Sequence, residues 1–148
     1  MKAVLISINK PHTDDIFSGD KSLEWRKKPL PEGLHYIYET KNKGGCGKVI
    51  GEMHIVGSKA VDTSKDLLVC LVNAGRVHPA TLKKYANNGT VYANFIKDAK
   101  RYDVPKQLSE FRSYNCSVYW ENGYPMPTHE IKRPPQSWYY VEELNDGN

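Results

Sequence analysis

Gly19-Asp20-Lys21-Ser22-Leu23-Glu24-Trp25-Arg26 is the stretch of this 148-residue chain where charged and hydroxyl side chains crowd most closely. In a strand, alternation puts Ser22, Glu24 and Arg26 on one face and Leu23 with Trp25 on the other. Leu23 and Trp25 are expected to anchor a core, which leaves Glu24 and Arg26 projecting together. Lys21 stands at the junction, where its long stem can bend to the same side. Such a set can bind phosphate or carbonyl oxygen through its cations, with the carboxylate as a base or an ion-pair partner. The same residues would also suit a solvated edge strand with a surface ion pair worth at most about 1 kcal/mol. The spacing alone leaves both readings open.

A second carboxylate stands out for its setting. Glu52 interrupts the largely apolar run Val49–Val56 and shares a strand face with Ile50 and His54. A carboxylate is almost never fully buried without a partner, so in a central strand it must meet a cation, carry a raised pKa or open into a cleft. Lys21 and Arg26 are the expected cations. A structural buried pair would meet the same requirement.

Aromatic residues give a third signal. Ten tyrosines and three tryptophans recur near basic residues, as in Lys100-Arg101-Tyr102 and in Lys132-Arg133 ahead of Trp138-Tyr139-Tyr140. Bases stack on aromatic faces while Lys and Arg hold phosphates, a pairing suited to single-stranded nucleic acid. Aromatics alternating along strands also serve as barrel core. Arg133-Pro134-Pro135 reads as a rigid basic turn at a cleft rim or as an ordinary surface loop.

Other chemistries lack their residues. The five histidines show no metal spacing, no Gly-x-Ser-x-Gly elbow is present, and Lys43-Gly44-Gly45-Cys46-Gly47-Lys48 lacks the spacing of a phosphate-binding loop. Cys46, Cys70 and Cys116 are too few and too scattered for a disulfide framework or a zinc site. Neither a metal nor a cofactor is expected. Net charge +4 and pI ≈ 8.9 suit a polyanionic partner without requiring one. No apolar stretch approaches the roughly 20 residues of a membrane-spanning helix, and the opening run is too short for a signal peptide. A cytoplasmic protein with no membrane partner is expected.

The elements that must position these residues follow from pattern. Lys2–Ile8 is apolar on both faces, as in a strand covered on both sides. Pro11 opens a short helix through Ile16 and Phe17, with Gly19 as its left-handed stop. Strands are predicted over 22–27, 35–39, 49–56, 91–96 and 137–141. Asp62-Thr63-Ser64 reads as a cap for a helix carrying Leu67, Leu68, Leu71 and Val72, which Gly75 ends. A further helix opens at Pro79 and closes at Asn87-Asn88-Gly89. Pro105 is predicted to begin a helical turn holding Leu108 and Phe111. The segment 114–127 yields no assignment, and a tail over 143–148 is expected to fray.

Gly-x-Lys-x-x-Glu-x-Arg after a leading strand and short helix resembles the signature of ASCH domains. Lys2-Ala3-Val4-Leu5-Ile6-Ser7-Ile8 upstream and Val49-Ile50-Gly51-Glu52-Met53 downstream support the resemblance. Arg133-Pro134-Pro135-Gln136-Ser137-Trp138 is similar to the closing segment of many phage and bacterial members. The resemblance implies one α+β domain over 1–148, a PUA-like mixed β-barrel of about five to six strands with short flanking helices. It also implies a cleft beside the first helix, with the helices read over roughly 62–88 standing as an insertion. The implied partner is RNA or a modified nucleoside or nucleotide, with Lys21, Glu24, Arg26, Glu52, Arg133 and Trp138 as binding residues.

Some similar small proteins hydrolyse the acetyl amide of N4-acetylcytidine, and others are reported to cut RNA. The alternative is therefore a hydrolase with Lys21, Glu24 and Glu52 as catalytic residues. In the amidohydrolases a lysine and a threonine three residues apart act with a glutamate on a later strand. Lys21 matches the lysine and Glu52 the glutamate, while Glu24 stands at the threonine position. A hydroxyl can form an acyl intermediate; a carboxylate has no hydroxyl and fits the part of base or ion-pair partner.

Overall fold

A computed structural model describes residues 1–119, 121–123 and 125–144, with side chains described outside 115–119 and 125–130. In chain order the elements are β1 (Lys2–Ile8), α1 (His12–Ser18), β2 (Leu23–Arg26), β3 (Gly33–Glu39) and β4 (Lys48–Asp62). They continue with α2 (Val69–Gly75), α3 (Pro79–Tyr85), β5 (Thr90–Lys106), β6 (Arg112–Tyr119), β7 (Pro125–Glu130) and β8 (Trp138–Glu142). The chain divides into two compact units. One holds Met1–Lys10, Leu34–Glu52 and Arg101–Asn148, and the other Pro11–Gly33 and Met53–Lys100.

In the first unit the end of β5 (101–106) and the start of β4 (48–52) lead into the order β3-β1-β8-β6-β7. β1 runs parallel to β3, with Val4 opposite His35 and Ile8 opposite Glu39, and antiparallel to β8, with Lys2 opposite Glu142. Both faces of β1 are covered, as its unbroken apolar run requires: Ala3, Val4, Leu5, Ile6 and Ile8 are all buried. Ala3 and Leu5 join Tyr36, Val49, Phe111 and Val141 in one core, where the Tyr36 and Phe111 rings meet edge-on at 5.0 Å. Edge-on contact sets a ring's positive rim against its partner's negative face.

The second unit sets β2 antiparallel to β5, with Leu23 opposite Phe95 and Arg26 opposite Tyr92. Its core gathers Leu23, Trp25, Leu82, Val91 and Ala93, so the α2–α3 segment lends Leu82 to the same core as β2. The loop ahead of α2 is held by the Thr63 hydroxyl donating to Gly89 O at 2.6 Å and by Lys83 Nζ donating to Thr63 O at 2.6 Å.

The expected α+β class with short flanking helices is what the chain forms, on a mixed sheet that is not closed. Eight strands are described where about five to six were expected. The additional strands β6 and β7 lie in the unassigned 114–127 segment and just beyond it, where Asn, Gly and Pro hide the alternation. Three local expectations change. Asp62 closes a turn by accepting from Ser64 N at 2.9 Å, and α2 starts only at Val69, behind Leu68 in extended backbone. Pro105 lies inside β5, and the turn begins at Leu108. Glu143 and Leu144 are tied down, their N–H groups donating to Met1 O and to the Tyr36 hydroxyl; residues 145–148 of the expected frayed tail lie outside the described residues.

Candidate functional site

The charged cluster of the second unit is built where α1 gives way to β2. α1 stops at Gly19, whose φ of 87° lies in the left-handed region that glycine enters without a Cβ penalty. The chain turns back so that Lys21 N donates to Asp15 O at 2.9 Å, and Ser22 N donates to Ala74 O of α2 at 2.9 Å. β2 then points Glu24 and Arg26 the same way while Leu23 and Trp25 enter the core, as the alternation requires. Glu24 Oε2 lies 3.0 Å from Arg26 Nη2, and Glu24 Oε1 lies 3.6 Å from Lys21 Nζ. Lys21, Glu24 and Arg26 thus meet in one charged cluster.

Lys21 is 1% exposed, far more enclosed than a rim lysine. Its ammonium also donates to Gly75 O at the last turn of α2. That is where a helix leaves carbonyls unpaired and favours a cation. Gly75 is required for the approach: a Cβ there would stand 2.1 Å from Trp25 Nε1 and 2.8 Å from Leu23 Cδ1. The α2 segment therefore covers the cluster within this unit.

Two opposed forces set the charges. Burial pushes Lys21 below its ordinary value of 10.5, with the Glu24 carboxylate beside it resisting. For Glu24 burial acts upward, but Arg26 and Lys21 together outweigh it and hold the carboxyl below its ordinary 4.5. Glu24 is therefore an ionised carboxylate at neutral pH, shared by two cations. Arg26 keeps 17% of its side chain exposed and is the member that solvent reaches most.

Asn94 was not singled out from sequence. It is wholly buried opposite Glu24, its Nδ2 donating to Glu24 O at 3.0 Å and its Oδ1 accepting from Leu30 N at 2.8 Å. A lone amide inside the apolar run Val91–Ile96 was the available signal. The amide fixes the β2 backbone that carries the cluster.

The other expected site residues lie in the first unit. Glu52 is half-buried, and its Oε1 accepts from the Tyr102 hydroxyl at 2.8 Å, so a phenol stands where a cation was expected. Arg133 and Trp138 line an open groove of ≈ 660 Å³ with Tyr114, Lys132, Tyr139 and Tyr140. Among the described residues no group of His, Cys, Asp and Glu is placed to hold a metal ion, and no helix is long and apolar enough to cross a membrane.

This fold is that of solved ASCH-domain proteins. The solved ASCH protein of Zymomonas mobilis superposes with a TM-score of 0.66 at 18% identity, covering 95% of this chain and 88% of that one. A serine-to-alanine variant of it gives 0.68 at 18% identity, covering 95% and 89%. A tyrosine-to-phenylalanine variant gives 0.66 at 18% identity, covering 97% and 92%. No protein-family model matches the sequence, and no curated protein matches it significantly.

Proposed function

We propose that the chain is a single ASCH-type domain that recognises RNA, or a modified nucleoside or nucleotide, through Lys21, Glu24 and Arg26. The observation that carries this reading is the complete burial of Lys21 within a charged cluster. Taking an ammonium out of water costs several kcal/mol, and apolar side chains of similar volume usually serve stability as well or better. A cluster kept at that cost, with one guanidinium still reaching solvent, is arranged to meet a ligand. Arg26 offers paired N–H groups to a phosphate or carbonyl oxygen, Glu24 holds Arg26 and Lys21 in place, and Lys21 keeps the centre cationic. Glu52, Arg133 and Trp138 are assigned to ligand contacts in the other unit. The cytoplasm, where such ligands abound, is the proposed setting.

Titration of a short fluorescein-labelled oligouridylate against the protein and its Arg26→Ala variant tests the reading. Loss of at least about tenfold in affinity is expected, the worth of one charge-assisted contact.

One observation favours a hydrolase as the second reading. Burial lowers the Lys21 pKa, which moves its amine toward the neutral form that accepts a proton. Glu24 would then orient water rather than form an acyl intermediate. Release of acetate from N4-acetylcytidine, abolished in Lys21→Met, is the expected signature; no release by the wild type contradicts it.

A further inference from the structure

We infer that the groove lined by Trp138, Tyr140, Tyr114, Lys132 and Arg133 is a surface on which single-stranded RNA stacks its bases, distinct from the Lys21 cluster. The inference rests on the reading of RNA as ligand and adds where the strand lies. At ≈ 660 Å³ the groove falls within the span of about 300–1,000 Å³ common to ligand sites.

The groove walls carry both parts that such a strand needs. Trp138 and Tyr140 sit two apart on β8, their rings 5.1 Å apart and nearly perpendicular at 82°. They lock one another in place, so little side-chain freedom is lost when a base docks. Lys132 and Arg133 are exposed beside them. Lys2 packs over the same tyrosines, its ammonium 4.2 Å from the centre of the Tyr140 ring and 5.2 Å from that of Tyr114, which leaves Trp138 as the main stacking face. The acid facing Lys2 across the strands, Glu142, is occupied by the Met1 amino group at 3.6 Å.

The basic segment is held in shape before any ligand arrives. The Tyr139 hydroxyl donates to Arg133 O at 2.8 Å, the Ser7 hydroxyl donates to Pro135 O at 2.7 Å, and Ser7 N donates to Ser137 O at 3.0 Å. Aromatic faces next to fixed cations match unstacked bases next to phosphates, whereas a duplex keeps its base faces inside.

The test uses the full chain and a fluorescein-labelled oligouridylate of roughly eight nucleotides, followed by anisotropy from about 50 to about 200 mM salt. Trp138→Ala is expected to weaken binding by about five- to a hundredfold, the loss of one base stack. Because that change could disturb the sheet, Lys132→Ala with Arg133→Ala, both at exposed positions, provides a second reading. It should flatten the plot of log affinity against log salt by about 1.4, two phosphate contacts on a single strand. Wild-type affinity and slope in both variants would overturn the groove while leaving Arg26 sensitivity, and hence the proposed function, intact. Conversely, loss in the groove variants with Arg26→Ala binding like wild type would retain the groove and remove the Lys21 cluster.

Discussion

The Lys21 ammonium donates to the carbonyl of Gly75, which ties the start of β2 to the last turn of α2. That bond and the Glu24 carboxylate compensate the burial of the ammonium, while the close packing of Trp25 and Leu23 leaves no room for a side chain at residue 75. The carbonyl is one of those a helix end leaves unpaired, and a Cβ at the same residue would drive into Trp25.

Gly75→Ala is expected to destabilise the protein by about 1–3 kcal/mol, the usual cost of overpacking a filled site. Urea unfolding measures it. An unchanged midpoint would mean that Trp25 moves aside freely.

Glu24 holds two cations, so its removal should be worse than the removal of one of them. Glu24→Gln takes from Lys21 and Arg26 the carboxylate they share, at a cost of about 3 kcal/mol. Lys21→Met leaves Glu24 paired with Arg26 and sacrifices mainly the bond to Gly75 O, about 1–2 kcal/mol. Urea midpoints of both variants against wild type decide the order; the reverse order would contradict a shared carboxylate.

The two shifted groups predict opposite limbs of a stability–pH curve. Glu24 is held below its ordinary 4.5, so its contribution is complete above that pH and is lost as acid carries the solution down through the folded value. Lys21 lies below 10.5 in the fold, so the unfolded chain binds the extra proton between those two values and stability rises with pH across that window. Urea midpoints recorded across pH should show a shallower acid limb in Glu24→Gln and no alkaline gain in Lys21→Met.

Asn94 bridges β2, Leu30 and Ser58, and Asn94→Asp keeps its shape while replacing the Nδ2 donor with an acceptor facing Glu24 O. A loss of about 2–3 kcal/mol is expected, from one broken bond and a buried carboxylate beside a carbonyl. Chemical denaturation measures it, and a neutral result would release Asn94 from its part in holding β2.

Parity and caps made much of this legible in the sequence. Alternation alone placed Glu24 beside Arg26, and Gly19 and Pro11 bounded α1, because these features depend on near neighbours only. Gly75 O as the partner of Lys21, the amide of Asn94 behind Glu24 and the Tyr102 hydroxyl on Glu52 all depend on elements 50 or more residues apart, which no local pattern encodes. Asp62 misled for the opposite reason: its side chain closes a local turn as readily as it caps a helix. Pro105 misled because its fixed φ suits extended backbone as well as a first helical turn.

The most direct test of the central claim is the affinity of a labelled oligouridylate for wild type, Arg26→Ala and Lys21→Met, each shown folded by circular dichroism. Salt-sensitive binding by the wild type, weakened at least about tenfold in both variants, is the expected result. Binding equal in all three proteins, or none by the wild type, would contradict recognition of RNA by Lys21 and Arg26.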